Sequence, residues 1–445
     1  MKKIGFVSLG CAKNLTDTET MLGILADKGY EITADETEAE IIVVNTCAFI
    51  DSAKEESINA ILEMAQYKSE KCELLIVTGC LAQRYREDIE DSLPEVDVIL
   101  GTTDYTQIAS AIEEFYKKGQ KLSWVGDPNS IVDYGLPRLK TTPPYTAYLK
   151  IADGCDNRCT YCIIPHLRGK YKSRPEESIL AEARELAESG VKEIILIAQD
   201  SAYYGKDEGC ARLASLVREL SHIDGIEWIR LQYCYPENID DALVEEIATN
   251  PKVVKYIDMP LQHVSDNVLK RMGRRSRRAE IEALIATLRK RVKNIVIRTS
   301  LIVGFPGETE EDFEELKSFV SEYPLDRVGV FVYSKEEGTR AFDFDDHIDE
   351  SVKEQRREEI MLLLRDISEE RNRARINTVT EAIVEGYDEE EFCYVGRTSQ
   401  DTPDVDGIAY IYSADELNAG DIVSIRILDT DEYDITGEVT DESTK

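Results

Sequence analysis

The chain has 445 residues, 42% of them hydrophobic, enough for two or three domains that each bury a core. Its formal charge of −35 at neutral pH works against long-range attraction to nucleic acid or membrane surfaces and favours basic partners.

The opening MKKIGFVSLG has too short an apolar run for a secretory leader, and no later stretch approaches a bilayer span. The reading is a cytoplasmic protein whose ten cysteines serve metal or redox chemistry and not a disulfide framework. KKIGFVSLGC, AEIIVVNTC and CELLIVTGC are each a short, β-branched run ending in cysteine, and each precedes a segment of helical periodicity. After Cys47, for example, Ile58, Ile61, Leu62 and Ala65 fall on the offsets of one helix face. With VDVIL (96–100) as a fourth strand, the βα alternation predicts a parallel sheet over residues 1–118. All carboxyl ends of such a sheet share one edge, where ligands bind. Cys11, Cys47 and Cys80 stand at such ends and should converge, whereas Cys72 begins its strand and reads as structural. Buried cysteines are common in strands, but three at the same topological position point to a cluster held by three thiolates, with one iron open.

A second trio lies in DGCDNRCTYC (153–162), directly after the apolar strand YTAYLKIADG. A structural zinc site closes with four protein ligands, and beyond Cys155, Cys159 and Cys162 only His166 stands nearby. Three thiolates suit a 4Fe–4S cubane whose fourth iron is free to hold a small molecule. From here strands alternate with helices: YLKIADG, KEIILIAQD, EWIRLQYCYP, VKYIDMPLQH, NIVIRTSLIVGFPG and DRVGVFVYS. Six such units predict a full or partial parallel barrel, with its chemistry at the carboxyl ends of the strands. Gln199, Asp200, Tyr233, Gln262, His263, Ser300 and the GFPGE turn (304–308) occupy those ends. LKRMGRRSRR (269–278) carries six basic residues in ten, readable as a solvated helix start or as a contact for RNA.

The helical stretch ESVKEQRREEIMLLLRDISEERNRARI closes the second unit, 141–376. The short strands of 378–445 predict a small antiparallel barrel. Residues 379–445 carry nineteen Asp or Glu against three Lys or Arg, a net −16. A nucleic-acid face would carry a basic surplus; this barrel suits a basic protein.

CxxxCxxC after a strand resembles the signature of the radical S-adenosylmethionine (SAM) enzymes. With both trios in view the whole chain resembles the methylthiotransferases, a subgroup of that family. The resemblance implies an α/β multidomain fold: an N-terminal parallel βα cluster domain, a partial (β/α)6 radical SAM barrel, and a C-terminal, OB-like TRAM domain. It implies that Cys11, Cys47 and Cys80 hold an auxiliary 4Fe–4S cluster, and that Cys155, Cys159 and Cys162 hold the cluster that cleaves SAM. It places Gln199 and Asp200 where the superfamily holds the methionine amino group, with Tyr161, Gln262 and Arg298 as further cofactor contacts. One branch of the family modifies an adenosine of tRNA; the other, the RimO type, modifies an aspartate of ribosomal protein S-twelve. SLGCAKNLTDTE, CDNRCTYCIIPHLRGKYKSRP and GRTSQDTPDVDGIAYI look like the RimO type, although Ala12 stands where that branch often has proline. In that branch a SAM-derived radical takes a hydrogen from the aspartate β-carbon, the auxiliary cluster supplies sulfur and a second SAM the methyl group, giving 3-methylthioaspartate. Sulfur and electron donors are further implied partners. The tRNA branch and a non-catalytic iron–sulfur ribosome-binding factor are the alternatives.

Overall fold

The computed structural model describes residues 2–444, with side chains through Thr440. Six strands build the first sheet: β1 (Lys3–Ser8), β2 (Glu31–Thr33), β3 (Ile41–Thr46), β4 (Leu74–Gly79), β5 (Val98–Leu100) and β6 (Leu122–Trp124). Their order is β2-β1-β3-β4-β5-β6 and every pairing is parallel. The two edges β2 and β6 exceed the four strands expected; at three residues each they are too short to show a period. Every residue of β3 and β4 is buried, because apolar clusters cover both faces of the sheet. Since β1, β3 and β4 are neighbours, the chain segments leaving their carboxyl ends are neighbours as well.

Helix α1 (Ala12–Asp27) leaves β1, α2 (Asp51–Gln66) follows β3, and the short α3 (Cys80–Arg84) begins directly after β4. The inward face of α2 differs from expectation. Ser57, Ile61 and Met64 are buried, whereas Ile58 and Leu62 are 40% and 45% exposed. The helix is turned so that the Ser57 hydroxyl receives the Cys47 backbone N–H at 3.0 Å and donates to the Cys47 carbonyl at 2.8 Å.

The second sheet comprises β7 (Thr146–Lys150), β10 (Glu193–Ile197), β11 (Trp228–Leu231), β12 (Val253–Asp258), β13 (Val296–Val303) and β14 (Arg327–Val332). A small ribbon, β8 (Ala152–Asp153) with β9 (Lys172–Ser173), flanks the cysteine loop. Each strand of the six lies beside the next in sequence and all pair in parallel, as a partial βα barrel requires.

Strands β15 (Val379–Asp388), β16 (Cys393–Thr398), β17 (Ala409–Tyr412), β18 (Ile422–Thr430) and β19 (Ile435–Thr444) close the third unit into a barrel. All its pairings are antiparallel except β17 with β19, which is parallel. The barrel docks through a buried polar seam. Glu193 accepts from Arg230 at 2.9 Å and from Arg397, Gln232 donates to Thr402 at 2.7 Å, and Tyr256 donates to Asp406 at 2.9 Å. Among the described residues no helix is long and apolar enough to cross a membrane.

Candidate active site

The cysteine loop after β8 is fixed by backbone contacts that only certain residues permit. Gly154 has φ +78°, and a Cβ there would collide with the Lys170 carbonyl. Cys155 N–H donates to the Gly169 carbonyl at 3.1 Å. Thr160 donates its N–H to the Met272 carbonyl and its hydroxyl to the Arg271 carbonyl, both at 2.9 Å. The basic run 269–278 therefore packs against the cluster loop. Arg271 pairs with Asp346, Arg278 with Glu282 and Glu315, and Arg274 is buried. Of its six basic residues, only Lys270 and Arg275 are exposed.

Arg274 lies 4.1 Å from the centroid of the Tyr235 ring and donates to the Pro260 carbonyl at 3.0 Å, but its Nε and Nη1 have no partner. The Tyr161 hydroxyl, beside Cys159 and Arg274, is also buried and unpartnered, as is Gln199 Oε1. Buried polar atoms without partners are rare in folded proteins; Tyr161 and Arg274 orphan theirs beside Cys159, and Gln199 orphans one beside Asp153. Such atoms suit a polar ligand such as SAM. Burial pushes the Cys155 thiol up to about 12 and raises Cys162 too. Iron must displace those protons, so cluster assembly releases them.

The other expected contacts have different settings. Gln199 Nε2 donates to Asp153 at 2.9 Å. Asp200 accepts from Asn157 of the cysteine loop at 3.1 Å and from Asn238 at 2.7 Å, and burial pushes its carboxyl up to about 6. It positions the loop. Gln262 has φ +72°, and its backbone bonds Ser300 and Ile302. Arg298 donates to Asp258 at 2.9 Å and lies 3.9 Å from Asp406 of the C-terminal barrel. His263 is kept neutral by burial, which lowers it to about 3.

Cys11, Cys47 and Cys80 gather at the ends of β1, β3 and β4. Gly10, at φ +91°, leaves no side chain beside Cys47; a Cβ there would lie 2.9 Å from that of Cys47. Asn14 ties the ends together by donating to the Leu9 and Thr46 carbonyls at 3.0 and 2.9 Å. Burial pushes the Cys80 thiol up to about 12; Arg168 opposes the rise while Cys47 and Cys11 add to it. Among the described residues no three His, Cys, Asp or Glu converge tightly enough for a single metal ion. A cubane spreads three thiolates over three irons and takes a wider triangle.

One buried residue joins the two trios. Arg168 donates to Asn14 at 2.5 Å and Asp17 at 2.6 Å in the first domain, and to Asp153 at 3.3 Å beside the second trio; its Nη2 lies 4.0 Å from Cys80 Sγ. Lys150 closes the network, 3.6 Å from Asp153 and also paired with Asp17. Sequence reasoning missed Arg168, Asp17, Asn14 and Arg274, most of whose partners are remote in sequence. Gly154→Ala is expected to cost about 2 kcal/mol or more through the positive φ alone. The collision with Lys170 adds to that, and the loop should fail to retain its cluster. Iron analysis and denaturant unfolding of the variant check both effects.

A parallel sheet presenting three thiols beside a partial βα barrel presenting three more defines a radical SAM enzyme with an auxiliary iron–sulfur centre. Three family models match: Uncharacterized protein family UPF0004 over residues 3–101, the Radical SAM superfamily over 149–320, and the TRAM domain over 376–440. The chain is 53% identical to "Ribosomal protein uS12 methylthiotransferase RimO" of Acetivibrio thermocellus, covering 100% of both chains. It is 54% identical to the protein of the same name from Geobacter sulfurreducens, covering 98% of each. Among solved structures, the radical SAM methyltransferase TsrM of Kitasatospora setae, with cobalamin and a [4Fe-4S] cluster bound, matches at TM-score 0.55. That match has 15% identity and covers 74% of this chain and 75% of that one, a likeness of fold. The chain belongs to the RimO family of radical SAM methylthiotransferases.

Proposed function

We propose that the protein methylthiolates the β-carbon of an aspartate in the small-subunit ribosomal protein uS12. The observation that carries this reading is full-length identity above 50% to uS12 methylthiotransferases, combined with two open thiol trios locked together by one buried arginine. Two 4Fe–4S clusters and SAM, when bound, supply the radical, sulfur and methyl chemistry. Cys155, Cys159 and Cys162 would hold one cluster; Cys11, Cys47 and Cys80 would hold the other. Tyr161, Gln199 and Arg274 offer their orphaned atoms to SAM, and Asp200 steadies Asn157 in the cluster loop. Gln262, at a strand end, and Arg298, bonded to Asp258 at the end of β12, would be further SAM contacts. Lys150, Asp153, Arg168 and Asp17 hold the two centres in one register, and the barrel walls exclude water. Electrons and sulfur come from donors outside the chain, in the cytoplasm where ribosomes assemble.

The C-terminal barrel, at net −16 over 379–445, complements a basic ribosomal protein and repels RNA. RNA contact through the basic run would rest on Lys270 and Arg275. Reduced, reconstituted protein incubated with SAM should methylthiolate a uS12 peptide at aspartate and leave a tRNA anticodon stem-loop unmodified. Methylthioadenosine in the RNA with an untouched peptide would overturn the assignment.

A further inference from the structure

Nine lysines and arginines are buried among the described residues: Lys13, Lys150, Arg168, Arg174, Arg230, Arg274, Lys353, Arg356 and Arg397. Eight of them lie within 4 Å of a carboxylate. Lys13 has none among the described residues, in a chain of net charge −35. Lys13 is largely covered while its nitrogen stays open, and it lacks the carboxylate that each of the others has; three further observations suggest what it is for.

The first is its place on α1. Lys13 stands in the first turn of that helix, two residues after Cys11. The helix dipole disfavours a cation there and favours an anion. The lysine and the helix end therefore make one local positive site beside the auxiliary trio. The second is its neighbour. The Lys13 nitrogen sits 3.2 Å from the centroid of the Tyr233 ring, at the carboxyl end of β11 in the other domain. An aromatic face steadies an ammonium while leaving its hydrogens free for another partner.

The third is the conformation of Tyr233, at φ +58°. A tyrosine in the left-handed region is strained, and such strain collects at functional sites. Both sides of the residue are pinned: its N–H donates to Asp258 at 3.1 Å, and its carbonyl accepts from Ser201 at 2.8 Å. The ring is thus held where the two domains face each other. The Lys13 nitrogen is itself open to a ligand, since it is not among the buried unpartnered atoms.

Resting on the function proposed above, we propose that Lys13 grips the side-chain carboxylate of the target aspartate and so sets specificity for Asp over Asn. In aspartate the reacting β-carbon is bonded directly to that carboxylate. A cation fixing the carboxylate beside Cys11, and within reach of the barrel mouth, therefore fixes the β-carbon between the two centres. An uncharged amide would leave the ammonium without that counter-ion, which is how a polar site rejects an isostere.

The test uses the reconstituted holoenzyme and two uS12 peptides differing only by Asp or Asn at the target. Peptide dissociation constants and methylthiolation kcat/KM are measured for the wild type, Lys13→Met, Lys13→Gln and Lys13→Arg. The wild type should favour the Asp peptide by roughly tenfold to a hundredfold, as a charge-assisted contact provides. Lys13→Met and Lys13→Gln should bring that ratio close to one, and Lys13→Arg should keep most of it. A wild type that turns over both peptides equally would overturn the proposal without reference to any variant. So would neutral variants that keep the Asp preference, or that raise only the KM for SAM. If the wild type modifies no aspartate at all, the functional reading fails first.

Discussion

Alanine at Cys155, Cys159 or Cys162 is expected to abolish reductive cleavage of SAM, whereas alanine at Cys11, Cys47 or Cys80 should leave cleavage running and stop sulfur insertion. The division follows from the fold. The first three thiols lie on one loop after β8, with the orphaned atoms of Tyr161 and Arg274 beside Cys159. The other three terminate adjacent strands of a separate sheet and are braced by Asn14 and Ser57. Losing one of three thiolates leaves too few to hold a cubane. Each variant should therefore retain roughly half the iron of the wild type. Chromatography of 5′-deoxyadenosine and mass spectrometry of the peptide separate the two activities. Methylthiolated product from the Cys80 variant would remove the auxiliary role.

Arg168→Met is expected to destabilise the protein by about 3–5 kcal/mol, the cost of breaking a buried ion pair from one side. Asp17 and Asp153 are both buried, and each would lose its bond from Arg168. Lys150 alone would then face two carboxylates. Burial pushes the Asp153 carboxyl up, but Arg168 and Lys150 together hold it well below its ordinary value. A depressed carboxyl stabilises the folded state above its unfolded pKa of about 4, and that contribution is lost as pH falls through the folded value. The acid limb of the stability profile should therefore flatten in Arg168→Met. Denaturant midpoints across pH check this, and an unchanged acid limb would show that the network contributes nothing. Because the arginine ties the auxiliary trio to Asp153, two residues before Cys155, the surviving enzyme should also waste SAM, making 5′-deoxyadenosine in excess of product.

The placement of the six cysteines, three at strand ends and three on one loop, was legible because strand ends and local spacing are written in the order of residues. A thiol at the end of a β-branched run needs no tertiary knowledge to be placed on a sheet edge. The buried cations were not legible. Arg168 meets Asp17 across 151 positions, and Arg274 hides within a run of charges that reads as a solvated helix start. The apolar periodicity of α2 misled for a related reason. Holding Cys47 turned Ser57 inward and left Ile58 and Leu62 outside, so a polar contact overrode the hydrophobic pattern. The parallel β17–β19 pair follows from barrel closure, which joins strands distant in the chain and leaves no local mark.

The intact mass of uS12 from cells with and without this gene tests the central claim most directly. Deletion should remove one methylthio group, which maps to an aspartate in the wild-type protein. An unchanged mass, with the modification missing instead from tRNA, would contradict it.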